Sequence, residues 1–429
     1  MASTVKAVPS FTRQTGLACS ACHYVPPELN PFGRRFKLHG YTLTAMKQDR
    51  AISEPSIAGL QLNDVIPLSA MFITANTSVK KAQPGSVTSS TQFPQQFSVF
   101  LAGEMTPHVG GFIQATYSQA DDHLGLDNTD IRYTNSSELF GKGATYGVTL
   151  NNNPTVEDPW NSTPAWGFPW IGPDSSPSPG ASPLIRGGLA QDVAGVGGYM
   201  SWNSFLYGNV TVYQSAHLGG SSPPTGVGFQ YNIDGAAPYW RFAAEHAWGA
   251  NYLMVGTYGM HVKTFATGVS GLSDRYTDNA ADFQYERTFR TRHVLTAHGT
   301  YTRENMNLQG TAALSGQSGS TAKYYLNNWR LDANYHYGDR LRLTAGVFGV
   351  TGSRNSLFYT PGAVNGSANS RPDSQGYILQ AGYWPWQNLD ITLAYTGYTK
   401  FNGLSHNYDG AGRNASDNNS VYIAAWFIF

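Results

Sequence analysis

The chain is short of cysteine, short of charge and without a long apolar run, and each shortage narrows what it can be. Cys19 and Cys22 are the only two thiols in 429 residues. A structural zinc site needs four ligands, normally from a second CxxC or an HxxxH pair, and neither is present. Lys and Arg together number 27, Asp and Glu 27, and charged residues make up only 13%. With zero formal net charge and a pI of about 7.2, the chain has no electrostatic footprint for nucleic acid. It contains no stretch of about 18 apolar residues, so no transmembrane helix is available. A membrane barrel escapes that exclusion, because its apolar residues occupy every second position and its average composition looks soluble; mean hydropathy here is −0.32. Met1-Ala2-Ser3-Thr4 lacks the apolar core of a secretory leader, so a processed chain is expected.

What is plentiful is Tyr (26), Trp (10) and Gly (47), a composition of strands, tight turns and aromatic belts. The other strong signal is Cys19-Ser20-Ala21-Cys22-His23. Two cysteines flanking two small residues, followed at once by histidine, is the spacing that attaches one haem c. The thiols form thioethers with its vinyl groups, and the histidine turns back onto the iron. A thioredoxin-type CxxC would open a helix in a βαβ unit, which nothing downstream resembles. A structural disulfide would leave His23 unexplained.

Residues 1–60 read as a separate haem segment. A short helix leads into the motif, Pro26-Pro27 breaks the chain, and a second helix spans about 31–39 with Gly40 closing it. So few residues cannot cover a haem alone, so the segment needs another surface. Arg34, Arg35 and Lys37 form a basic cluster that suits either haem propionates or a solvated helix face. For the distal iron ligand, Met46 is the first choice, with Met71 and His39 as alternatives.

From residue 61 to 429 the pattern is that of a barrel. In Trp329-Arg330-Leu331-Asp332-Ala333-Asn334-Tyr335-His336-Tyr337 the odd positions are apolar or aromatic and the even ones polar, the alternation of a strand with lipid on one side. The same holds at Tyr239–Glu245, Ile131–Thr134 and Leu341–Thr344, and strains at Arg287. About sixteen such strands are expected, with very short connections alternating with long Gly/Ser/Asn/Pro-rich ones at 80–94, 154–188 and 262–278 among others. Arg132, Glu138, Arg241, Glu245, Arg330, Asp332, His336 and Arg342 are expected to face the lumen and pair there or with the plug. Asp121, Asp122 and His123 form the nearest oxygen/imidazole cluster in an outer loop. The fold class is therefore all-β: an antiparallel transmembrane β-barrel in the outer membrane, its lumen plugged by a short, mainly helical haem c segment entering from the periplasmic side.

Arg13-Gln14-Thr15-Gly16, Pro27-Glu28-Leu29-Asn30, Phe32–Leu38 and Gly40-Tyr41 around the haem motif, with Asp130-Ile131-Arg132-Tyr133 and Asn151–Thr155 in the barrel, resemble the fused monohaem cytochrome–porins of iron-oxidising bacteria. The resemblance spans essentially the whole chain. It implies that extracellular Fe(II) is oxidised at a single covalent haem c, held by Cys19, Cys22 and His23. The electron would pass to a periplasmic c-type cytochrome or copper protein. Two other readings share these residues: a diffusion porin with a haem tether in the periplasm, and a conduit for another reductant. A haem enzyme would need an open distal side, and no distal His-Arg pair lies near the haem segment to encourage it.

Overall fold

Alternation of side chains along an extended chain places one row of residues on each face, and a sheet that closes on itself turns those faces into an outside and a lumen. The structure, a computed structural model, describes residues 9–43, 66–120, 122–216, 232–290, 293–316 and 322–429. Its first elements are helix α1 (Pro9–Thr15), a 3-10 turn at Cys19–Ala21, the small strands β1 (His23–Val25) and β2 (Glu28–Leu29), and helix α2 (Pro31–Leu38). The barrel follows as β3 (Leu68–Val79), β4 (Ser89–Thr106), β5 (Val109–Ser118), β6 (His123–Leu139), β7 (Lys142–Asn151), β8 (Val193–Trp202), β9 (Leu206–Ser215) and β10 (Ala237–Trp248). It continues as β11 (Asn251–Phe265), β12 (Ser273–Arg290), β13 (His293–Asn307), β14 (Lys323–Tyr337), β15 (Leu341–Gly352), β16 (Ser374–Tyr383), β17 (Leu389–Lys400) and β18 (Ser420–Ile428). Each strand pairs antiparallel with its sequence neighbour, and β18 closes the ring on β3, with Ile428 opposite Met71. Closure leaves no edge strand to hydrogen-bond elsewhere.

The outside is apolar through the middle: Val148 and Leu150, Val210 and Val212, Leu343 and Val347, Leu379, Ile391 and Leu393 all point away from the lumen and are exposed. Aromatic residues collect around the short-turn end, among them Phe140, Phe205, Trp248, Phe289, Tyr337, Tyr383 and Trp386, forming the girdle expected where a barrel meets a membrane surface. Arg287 emerges on this outer face beside that girdle, its guanidinium 5.1 Å from the Phe289 ring, the placement of a cation reaching for the interface. On the lumen side Arg132, Arg241, Asp332, His336 and Arg342 are buried, as their alternation requires, while Glu138 is exposed near the short-turn end.

Two expectations need correction. The segment 262–278 is largely strand and 80–94 is strand from Ser89 onward, and only four residues, 119–122, join β5 to β6, so one connection on the long side is as short as a turn. Their Asn, Ser and Thr read as loop, yet the ladder continues through them because outward polar residues cost little beyond the hydrocarbon band. Secondly, the 152–192 connection is not an outer loop. It folds into the lumen, where Leu184 N–H donates to Glu304 (2.6 Å) and Ile185 N–H to Asp278 (2.9 Å). The expected divide at residues 60/61 lies outside the described residues.

Candidate functional site

α2 is capped at both ends by local chemistry. Asn30 Oδ1 accepts from the N–H groups of Phe32 and Gly33, and Pro31 opens the helix; these satisfy donors that a helix start leaves free. At the far end Gly40 N–H donates to Lys37 O and Tyr41 N–H to Phe36 O, with Gly40 at φ +67°. That is the Schellman closure foreseen for Gly40. Gly33 lets this helix lie against the CxxCH motif: a Cβ there would fall on the carbonyl oxygen of Cys22.

The folded segment sits inside the barrel, and its wall contacts fall in the strand halves that lead to the short turns. Gln14 bridges Ala102 O and Glu104 N–H on β4. Tyr41 OH donates to Asp130 (2.6 Å), and Arg132 binds Asp130 and donates to Lys37 O (3.1 Å). Arg34 pairs with Glu286, which also accepts from Tyr24 OH (2.7 Å). Glu28 lies between His298 (3.4 Å) and His336 (3.2 Å). Burial alone would raise the Glu28 carboxyl, but the two histidines outweigh it and hold it down at about 2. Arg13–Gly16 and Gly40-Tyr41 thus meet the β3–β6 wall that carries Asp130–Tyr133, while Glu28 of Pro27–Asn30 meets the β13–β14 wall across the lumen.

Between plug, wall and infolded connection lies a cavity of about 380 Å³. Cys22 and His23 line it from the motif, Phe36 and Lys37 from α2, Met71 and Ile73 from β3, Trp426 from β18, and Trp166 and Trp170 from the infolded connection. The lining suits a flat, mostly apolar macrocycle: aromatic and aliphatic walls, one imidazole, and one thioether from a different element. Burial holds the His23 imidazole at about 4, so it is neutral and able to bind a metal, and pushes the Cys22 thiol up to about 11. Cys19 is buried beside this turn, and the two thiols are not joined in a disulfide.

The three distal candidates separate. Met71 lines the cavity, facing inward from the barrel wall. His39 does not line it; it ends α2 with its ring 3.2 Å from Thr145. Met46 lies outside the described residues. The basic cluster separates too. Arg34 is committed to Glu286, Arg35 is exposed, and only Lys37 reaches the cavity. Asp122 accepts from Tyr117 OH at the tip of the β5–β6 hairpin, with His123 exposed beside it. Asp121 is outside the described residues, and among the described residues no His/Cys/Asp/Glu group is arranged to hold a metal.

Sequence reasoning missed the infolded connection as a cavity wall. Its signal was Trp160, Trp166, Phe168 and Trp170 close together in a stretch otherwise rich in Pro, Gly and Ser. Large aromatics at that density need a surface to cover.

Sixteen strands, full closure and an apolar, aromatic-girdled exterior decide the architecture. It is a porin-like outer-membrane barrel. No family model and no curated protein matches the chain. Among solved structures it is similar to the outer-membrane channel DcaP of Acinetobacter baumannii (14% identity, TM-score 0.49, 84% of this chain and 96% of that one). It is also similar to OmpF of Salmonella typhi in complex with daunomycin (14%, 0.48, 84% and 97%). A third is an anion-selective porin from Comamonas acidovorans (11%, 0.48, 84% and 98%). The strand count and closure rest on this chain's own ladder rather than on these likenesses.

Proposed function

We propose that the protein is a cytochrome–porin of the outer membrane that takes electrons from extracellular Fe(II) and delivers them to a periplasmic c-type cytochrome or copper protein. The observation that carries this reading is that Cys22 and His23 of the plug and Met71 of the barrel wall line one apolar cavity inside a closed barrel. Cys19 and Cys22 would hold haem c by thioethers, His23 would be its proximal ligand and Met71 its distal ligand. Bound there, the group supplies a one-electron carrier whose potential a methionine ligand raises relative to bis-histidine ligation. The chain's own part is to exclude water with Phe36, Trp166 and Trp426, and to fix the plug with the Arg34–Glu286 and Glu28–histidine contacts. With the short turns in the periplasm, as is usual for such barrels, the haem segment lies on the periplasmic half of the lumen. The cavity extends from Met71 past mid-strand to Gln96 and Gln114, toward the long-loop end.

The competing diffusion-porin reading requires an open bore, whereas plug and infolded connection both occupy this one. Rapid mixing of the oxidised holoprotein with Fe(II) tests the proposal: the haem bands should reduce within the mixing experiment at some pH between acid and neutral. Covalent haem that Fe(II) leaves oxidised throughout would remove iron as the donor. A large steady conductance in planar bilayers would favour the diffusion porin.

A further inference from the structure

Lys37 is a buried cation whose partners are both neutral: its Nζ donates to Val156 O and to Asn161 Oδ1, each at 2.7 Å, and lies 5.1 Å from the Trp166 ring. The acids around it are committed elsewhere. Asp130 binds Arg132, Tyr41 and Thr149; Asp158 faces Arg241 and accepts from Ser162 and Thr163. Glu157 is next to Val156; its carboxyl oxygens have no hydrogen-bond partner, and with Asp130 and Asp158 it acts on Lys37 only through space. Arg132 adds a like charge from the wall. A buried ammonium whose hydrogen-bond acceptors are all neutral is costly unless an anion comes into direct contact with it. Burial accordingly pulls Lys37 down to about 7. Its side chain lines the same cavity as Cys22, His23 and Met71, and it is the only Lys or Arg among the described residues that line it.

Resting on the haem reading above, we propose that Lys37 is the anion-anchoring residue of this cavity, pairing with a haem propionate and so positioning the group and favouring its reduced form. A cation beside the macrocycle stabilises the state with one more electron, so its removal lowers the midpoint potential.

The test uses full-length holoprotein in detergent or liposomes. Covalent haem is first measured by mass and haem stain, and the midpoint potential is then compared between wild type, Lys37→Met and Lys37→Arg. Lys37→Met should keep its covalent haem but shift the Fe(III)/Fe(II) equilibrium about tenfold toward the oxidised form, equivalent to about 59 mV for one electron. Lys37→Arg should keep most of the wild-type value. If the methionine variant fails to assemble, Lys37→Gln, which can still donate to Val156 and Asn161 but has no charge, carries the same expectation. A potential that is unchanged in both neutral variants overturns the Lys37 assignment while leaving the haem reading intact. Wild-type protein without a covalent haem mass overturns both.

Discussion

Replacing Arg34 by methionine should unseat the plug without harming the barrel. The guanidinium and the Glu286 carboxylate are 6% and 4% exposed, and they join residues 252 positions apart. Arg34 also donates to Leu29 O at 3.0 Å and stacks over Tyr252 at 4.2 Å. Removing one partner of a buried pair typically costs 3–5 kcal/mol, because the other charge is left desolvated and unanswered. Glu286 keeps two neutral donors, Gln284 Nε2 at 2.6 Å and Tyr24 OH at 2.7 Å, which places the cost at the lower end. About 3 kcal/mol is roughly a 150-fold loss in the equilibrium between seated and unseated plug. Limited proteolysis of the N-terminal segment in liposomes reads that equilibrium, and planar-bilayer conductance should rise with it. Barrel integrity is followed separately by the heat-dependent change in gel migration. The double variant Arg34→Met/Glu286→Leu, which removes both charges, should recover most of the loss. A single variant as protease-resistant and as silent as wild type, or a double variant worse than the single one, would refute this role for the Arg34–Glu286 pair.

Met71→Ala should retain covalent haem but lose the methionine–iron absorption band and lower the potential, read by optical redox titration; an unchanged spectrum would remove Met71 as the distal ligand. Gly33→Val would put side-chain atoms onto the Cys22 carbonyl, so haem stain per barrel should fall severalfold, and normal loading would show that α2 need not touch the motif. Burial raises the Glu157 carboxyl from 4.5 to about 7. The stability it allows is therefore full below pH 4.5 and lost as pH rises through about 7, a swing of about 3 kcal/mol in the seating of the infolded connection. Glu157→Gln should flatten that dependence in thermal unfolding followed across pH 4–9. Glu28 has the opposite sign: its contribution is present above pH 4.5 and disappears as pH falls through about 2. Plug release measured by proteolysis should therefore appear in strong acid and be absent near neutrality.

Much of this molecule is determined by residues that are close together in sequence. The CxxCH motif is five consecutive residues, Asn30-Pro31 and Gly40 bound α2 by local capping, and alternation in segments such as Trp329–Tyr337 assigns each side chain to lipid or lumen. A slip by one residue would turn every apolar side chain inward, so the sixteen strands were legible one at a time. What alternation cannot carry is the identity of the residue across the lumen, because that depends on ring closure and on the path of connections between distant strands. Hence Arg34 looked equivalent to Lys37 until Glu286 was placed beside one and the cavity beside the other. Met71 and His39 were equal candidates until closure of β18 on β3 turned Met71 toward His23's cavity and left His39 against Thr145. The 152–192 connection, polar enough to be an outer loop, became a lumen wall because its tryptophans could be covered only inside the barrel.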